Sequence, residues 1–237
     1  GSFDYSQQEP RLVAHYAASV NEDFSGADEF IVAYKNEAAD FHQIVADMAG
    51  ISRTQAKTIN LGLFYGMGKA KLSKELGISK DAAENLLNKY HTRVPFVKRL
   101  AEAVTGSASK YGFIRTIKGR KCRFDMWEPA TFGMNKAMQY EEAKAIYGNN
   151  IRRAFTYKAL NRLIQGSAAD QTKQAMINCS KNGFEPLLQI HDELCFSINS
   201  EKDINSVKQI MENAIEDLKV PFKVDVALGR SWGEAKE

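Results

Sequence analysis

The chain has 237 residues, 44% of them hydrophobic and 26% charged, which is enough to bury one large core or two smaller ones and excludes a disordered polyelectrolyte. Its formal charge of +3 permits a polyanionic partner without demanding one. Cys122, Cys179 and Cys195 are widely spaced and form no CxxC pair, which argues against a disulfide framework or structural zinc; with no apolar run near membrane-spanning length and no secretory signal, an intracellular protein is expected.

Phe3-Asp4-Tyr5-Ser6 reads as the end of a buried strand. Glu9-Pro10-Arg11 then opens a helix with proline in its first turn. From about residue 27 to 110 the pattern is helical, in short pieces punctuated by Gly50, Gly62, Gly66, Gly77 and Pro95, with Ser52 and Ser79 placed as N-caps. Residues 111 to 124 change character. Aromatic and β-branched residues alternate with Arg115, Lys118, Arg120, Lys121 and Arg123, without an acid, around Lys118-Gly119, which predicts a basic hairpin. Helical periodicity returns from about 134 to 181. Two strands, at 187–190 and 194–198, flank His191-Asp192-Glu193, so a carboxylate pair is expected at a hairpin tip; a helix near 202–218 and a strand near 222–228 close the pattern.

Three groups of residues carry candidate chemistry. Asp4 at a strand end and Asp192 in a hairpin sit in apolar surroundings where an isolated charge is costly, and two carboxylates on adjacent strands suit a pair of magnesium ions in phosphoryl transfer. Each aspartate taken alone reads first as a turn or cap residue. Arg53, Lys57, Leu61 and Tyr65 recur every four residues and form one ridge, with two cations for a triphosphate and two apolar groups for a base. A solvated cationic face over a core stripe has the same pattern. Asn161 and Gln165, also four apart and beside cations, can hydrogen-bond base edges or sugars, although helix surfaces carry such amides for no further reason. The basic hairpin is a phosphate-binding candidate or a solvated one. His42 can donate to a phosphate or be a structural histidine; His15 and His91 have no evident partners, and Trp127 and Trp232 read as packing residues.

In this order the pieces resemble the polymerase domain of family A DNA polymerases, the bacterial polymerase I type. The run from Asp4 to Arg11 looks like the family's first carboxylate motif, Arg53 through Tyr65-Gly66 like its mobile fingers helix, and His191-Asp192-Glu193 like its second carboxylate motif. The resemblance implies an α+β fold: a helical fingers subdomain (21–133) inserted into a palm with a small antiparallel sheet, whose start is 1–20 and whose remainder is 134–237. It implies that Asp4 and Asp192, with the Tyr5 carbonyl, bind two magnesium ions, with Glu193 nearby. His42, Arg53 and Lys57 would hold the incoming triphosphate, with Gln7 close to it and Lys57 able to protonate pyrophosphate. Glu9 would exclude a ribose hydroxyl, Leu61 and Tyr65 would sit by the nascent base pair, and Tyr157, Asn161, Gln165 and His191 would track primer-template DNA.

Departures from the family pattern accompany the matches. Leu61 stands where phenylalanine or tyrosine is usual, Tyr157 where bacterial members often have arginine, and Pro10 where an aliphatic residue is common, a variation more phage-like than bacterial. The family's thumb, first palm segment and any exonuclease precede the first carboxylate motif, so the resemblance implies a partial polymerase: one half of a divided enzyme, or a cut piece. The expected function is template-directed addition of deoxynucleotides to a primer 3′ end, in the cytoplasm of a bacterial cell or phage-infected host, with an N-terminal fragment as partner. A non-catalytic nucleotide- or DNA-binding fragment and a two-metal phosphohydrolase are the rival expectations.

Overall fold

The computed structural model describes residues 1–19, 27–35, 40–64, 67–131, 133 and 136–236. It divides into two compact units, the first made of Gly1–Phe41 and Gln165–Glu237, the second of His42–Ile164. Mixed helices and small antiparallel sheets make the fold α+β, as the sequence predicts.

In the first unit a four-stranded antiparallel sheet has the order β6-β7-β1-β8, with β1 Ser2–Tyr5, β6 Pro186–Ile190, β7 Glu193–Phe196 and β8 Val224–Ala227. Strand alternation sends Phe3 and Tyr5 to one face, both fully buried, and Ser2 and Asp4 to the other. Phe3 meets Phe196 edge-on at 5.5 Å, Tyr5 meets Phe222 at 6.1 Å, and the Tyr5 hydroxyl donates to the Met211 carbonyl at 2.7 Å. Each such fully buried ring contributes about 1.5–3 kcal/mol of transfer free energy. Around the sheet lie α1 Gln8–Ser19, α2 Ala27–Lys35, the C-terminal part of α9 Ala159–Lys181, and α10 Glu201–Glu212. Buried Gln8 ties α1 to α9, its amide nitrogen lying 3.1–3.3 Å from acceptors on Ala168, Gln171 and Thr172.

The second unit is mainly helical: α3 Phe41–Ala49, α4 Arg53–Phe64, α5 Lys69–Leu76, α6 Lys80–Arg93, α7 Pro95–Tyr111 and α8 Tyr140–Tyr147. Ser52 caps α4 reciprocally, its hydroxyl accepting from the Gln55 N–H at 3.2 Å while the Gln55 side chain accepts from the Ser52 N–H at 3.1 Å. Ser79 caps α6, as expected. A stripe of Phe96, Val97, Leu100, Val104 and Ala108 buries one side of α7, which ends at Gly112. Gly112 has φ +76°, a left-handed helix end that glycine takes without strain, and the Arg153 guanidinium packs into the space beside it, 2.6 Å from where a Cβ would stand. The basic hairpin is β2 Phe113–Arg115 with β3 Lys121–Arg123, turning through Gly119 at φ +76°.

Two expectations need correction. Residues 134–181 are not one helical run, because β5 Ile151–Arg153 pairs with β4 Trp127–Pro129 and α8 stops at Gly148, whose φ is +61°. The helix near 202–218 ends at Glu212, and Asp217 has φ +59°, which a continuing helix does not allow.

Candidate active site

In the first unit the β6–β7 hairpin closes through the two residues His191 and Asp192, because Ile190 pairs directly with Glu193. His191 takes a positive φ of 56° at the first turn position, as a tight two-residue hairpin demands. The adjacent strand brings Asp4 opposite Glu193, and the Tyr5 N–H lies 3.4 Å from the Asp192 carbonyl oxygen. Residues 4–5 and 192, nearly two hundred positions apart, are thereby neighbours. Asp192 keeps its side chain partly exposed, with the His191 imidazole 3.5 Å away.

Around this end of the sheet the other expected residues of the unit take defined places. Glu9, in the first turn of α1, is half-buried, and burial pushes its carboxyl above the ordinary glutamate range; the Asp192 charge adds to the rise, while His191 and a hydrogen bond with Gln165 oppose it. Glu9, Gln165, His191 and Asp192 are thus electrostatic neighbours. Gln7 sits in the turn after β1 at φ 53°, and its side-chain oxygen accepts from the Phe41 N–H at 2.9 Å.

Glu193 is 2% exposed and its Oε1 accepts from Ser2 Oγ at 2.5 Å, Trp232 Nε1 at 3.1 Å and Cys195 Sγ at 3.4 Å. The sequence placed Glu193 with Asp192 at the hairpin tip, but Glu193 is the first residue of β7, paired with Ile190, and its partners Ser2 and Trp232 leave no local signal. Asp225 of β8 also pairs with Asp4, on its other side. Among the described residues no three His, Cys, Asp or Glu side chains cluster as a metal cage. Asp4, Asp192 and the Tyr5 carbonyl are hard oxygen donors, the type that magnesium takes alongside waters and substrate phosphates.

In the second unit Arg53 and Lys57 are exposed on one side of α4 and Leu61 is partly so, while Ala56, Ile59 and Asn60 are buried on the other. The ridge exists as far as Leu61; Tyr65 lies outside the described residues. His42 on α3 is 8% exposed, and its Nδ1 lies 3.1 Å from the Asn60 amide nitrogen, whose carbonyl accepts from the buried Tyr90 hydroxyl at 2.6 Å. An amide N–H donating to Nδ1 fixes the neutral tautomer that carries its proton on Nε2. Asn60 and Tyr90 were not foreseen, although an asparagine between Ile59 and Leu61 in mid-helix was a usable signal. Tyr157 is 57% exposed, with the Lys158 ammonium 5.6 Å from its ring centroid, and the Asn161 Nδ2 is buried with no hydrogen-bond partner among the described residues.

Comparison with known proteins gives a consistent answer. The family model for DNA polymerase family A matches residues 1–234. The chain is 36% identical to a DNA-directed DNA polymerase of Pseudomonas phage M6, over 99% of this chain and 38% of that one. It is 34% identical to DNA polymerase I of Lactococcus lactis subsp. cremoris (strain MG1363), over 99% of this chain and 26% of that one. Among solved structures it resembles the POL domain of Pol1 from M. smegmatis in complex with DNA primer-template and dNTP, with TM-score 0.76 and 31% identity over 100% of this chain and 40% of that one. The chain thus spans between a quarter and two fifths of the length of these relatives. A match over nearly every residue, carried by proteins of one kind, places this chain in DNA polymerase family A.

Proposed function

We propose that the chain carries out the nucleotidyl-transfer part of template-directed DNA synthesis, extending a primer 3′ end with deoxynucleoside triphosphates. The observation that supports this reading is the β1–β7 pairing with its Tyr5–Asp192 hydrogen bond, which makes residues 4, 5 and 192 backbone neighbours at one end of the sheet. Asp4, Asp192 and the Tyr5 carbonyl would hold two magnesium ions, whose chemistry when bound is to neutralise charge on the attacking and leaving oxygens.

The chain's own groups account for the remaining work. On α4, exposed Arg53 and Lys57 hold triphosphate oxygens by charge-assisted hydrogen bonds, and Lys57 gives a proton to departing pyrophosphate. His42, with Nδ1 taken by Asn60, presents its Nε2–H as a fixed donor to a phosphate. Glu9, half-buried and bonded to Gln165, occupies space that a ribose 2′-hydroxyl would need. Leu61 and Tyr65 serve the nascent base pair, and Tyr157, Asn161, Gln165 and His191 the primer-template. Residues 1–20 and 134–237 form the palm and 21–133 the fingers in this reading. Because the relatives are much longer, a polypeptide supplying the thumb and the rest of the palm is proposed as partner, and the cytoplasm of a bacterial or phage-infected cell as the setting. Among the described residues no helix is long and apolar enough to cross a membrane.

The test is primer extension and pyrophosphate exchange by the chain together with the upstream region of its own gene. Asp192→Asn should lower the rate by about a thousandfold or more, several kcal/mol of transition-state stabilisation, while primer-template binding persists. Retention of rate would remove the metal assignment.

A further inference from the structure

We propose that Trp232 is a positioning residue whose indole N–H holds Glu193 away from Asp4, so that the metal edge keeps two carboxylates rather than three. The proposal rests on the assignment of Asp4 and Asp192 as metal ligands. Glu193 and Asp4 are directly paired across β7 and β1, so their side chains leave the same face of the sheet. A carboxylate there is within reach of any cation that Asp4 holds. Yet its Oε1 is bonded to Ser2 and Cys195, which form the next pair on that face, two residues along both strands. That displacement is roughly 6–7 Å at a strand rise of about 3.3 Å per residue. Oε1 is thus engaged toward Ser2 and Cys195, one pair along the sheet from Asp4, and Trp232 adds an indole donor to the same oxygen.

Trp232 is presented by a loop that holds its own shape. The Arg230 N–H donates to Glu234 Oε2 at 2.7 Å, the Glu234 N–H to Ser231 Oγ at 3.3 Å, and the Ala235 N–H to the Ser231 carbonyl at 3.2 Å. Gly229 makes the close turn possible, since a Cβ there would lie 2.6 Å from the Ala235 backbone nitrogen. The indole is 51% exposed and stands with Ser2 and Cys195 in the wall of a cavity of about 520 Å³, so a ring without N–H fits without repacking a core. Magnesium in phosphoryl transfer needs open positions for substrate oxygens, and a third carboxylate would fill one while raising affinity for the ion. The latch therefore trades metal affinity for coordination sites left to phosphate.

The experiment uses the intact chain and Mn²⁺ alone as probe, with free Mn²⁺ followed by electron paramagnetic resonance. Trp232→Phe should bind Mn²⁺ several-fold more tightly, Ser2→Ala/Trp232→Phe about tenfold more tightly, in line with affinity following ligand charge, and Trp232→Phe/Glu193→Gln should return to the wild-type value. Equal or weaker binding in the folded single and double variants overturns the latch. Asp192→Asn should weaken binding throughout; Mn²⁺ affinity indifferent to it would instead sink the metal assignment, and the latch with it. The contact itself has a metal-free readout: Glu193→Gln should move the Trp232 indole proton resonance and spare that of Trp127, and an unmoved resonance counts against the proposal even if metal affinity changes.

Discussion

His42 and His15 are both isolated imidazoles on helices in the sequence, and the fold gives each a different partner. His42 ends a buried chain running Tyr90 to Asn60 to His42. Asn60→Ala strands both the Tyr90 hydroxyl and the His42 Nδ1 in an apolar interior, so it should cost about 2–3 kcal/mol, read as a lowered urea midpoint at unchanged slope. His15 accepts at Nδ1 from the Lys219 N–H at 3.2 Å, and burial, with Lys219 nearby, lowers its pKa below the ordinary histidine value. A base with a depressed folded pKa gives stability that is complete above its unfolded pKa and is lost as pH falls through the folded one. Wild type should therefore lose stability relative to His15→Gln on acidification from neutral pH, and parallel stability curves for the two would contradict this assignment. Residue identity made His42 a candidate, but neither partner was legible: Asn60 lies 18 positions away and Lys219 lies 204, and a sequence read locally carries no trace of such pairings. Glu193 shows the same limit, since its type and place at the hairpin were evident while its direction depended on Ser2 and Trp232.

Elements were legible where their signals are short-range. Ser52 and Ser79 as caps, the glycine turn of the basic hairpin, and the two strands about His191-Asp192-Glu193, apart from Glu193 itself joining β7, all follow from contacts within a few residues. The β4–β5 ladder escaped because each strand has three residues, too few to express a period, and pairs across an intervening helix. Helix α4 combines a legible cap with the proposed triphosphate ridge, and the two are separable by mutation. Ser52→Ala removes one side of the reciprocal cap and should cost about 1 kcal/mol of stability, measured by thermal unfolding. Lys57→Ala, at an exposed position, should leave stability within about 0.5 kcal/mol yet weaken deoxynucleotide binding roughly tenfold or more, the value of a charge-assisted hydrogen bond. A calorimetric titration in which Lys57→Ala binds nucleotide as wild type does would remove the ridge from the site.

At the scale of the whole molecule, the formal charge of +3 conceals a division. The unit of residues 42–164 holds 22 Lys or Arg against 9 Asp or Glu, a formal +13, whereas residues 1–41 and 165–237 hold 10 against 20, a formal −10. The averaged composition could only permit a polyanionic partner, and the boundaries that separate the charges come from the fold. Within the basic unit, cations lie over rings repeatedly: Arg115 and Lys121 over Phe113, Arg162 over Phe124, Arg153 over Trp127, and Lys158 over Phe155 and Tyr157. Such pairs offer phosphate contacts beside stacking surfaces, the combination that binds nucleic acid without reading its sequence. Affinity for primer-template should therefore fall with salt as a cluster of cations dictates rather than as three net charges would. In a plot of log affinity against log salt concentration, the slope should be about −5 or steeper, since each neutralised duplex phosphate contributes about −0.9. Lys118→Ala/Lys121→Ala at the hairpin should make that slope shallower by about 1–2, with equal effect on unrelated DNA sequences. Fluorescence anisotropy across a salt series gives both numbers, and a slope that the double substitution leaves unchanged would show that the hairpin does not touch phosphate.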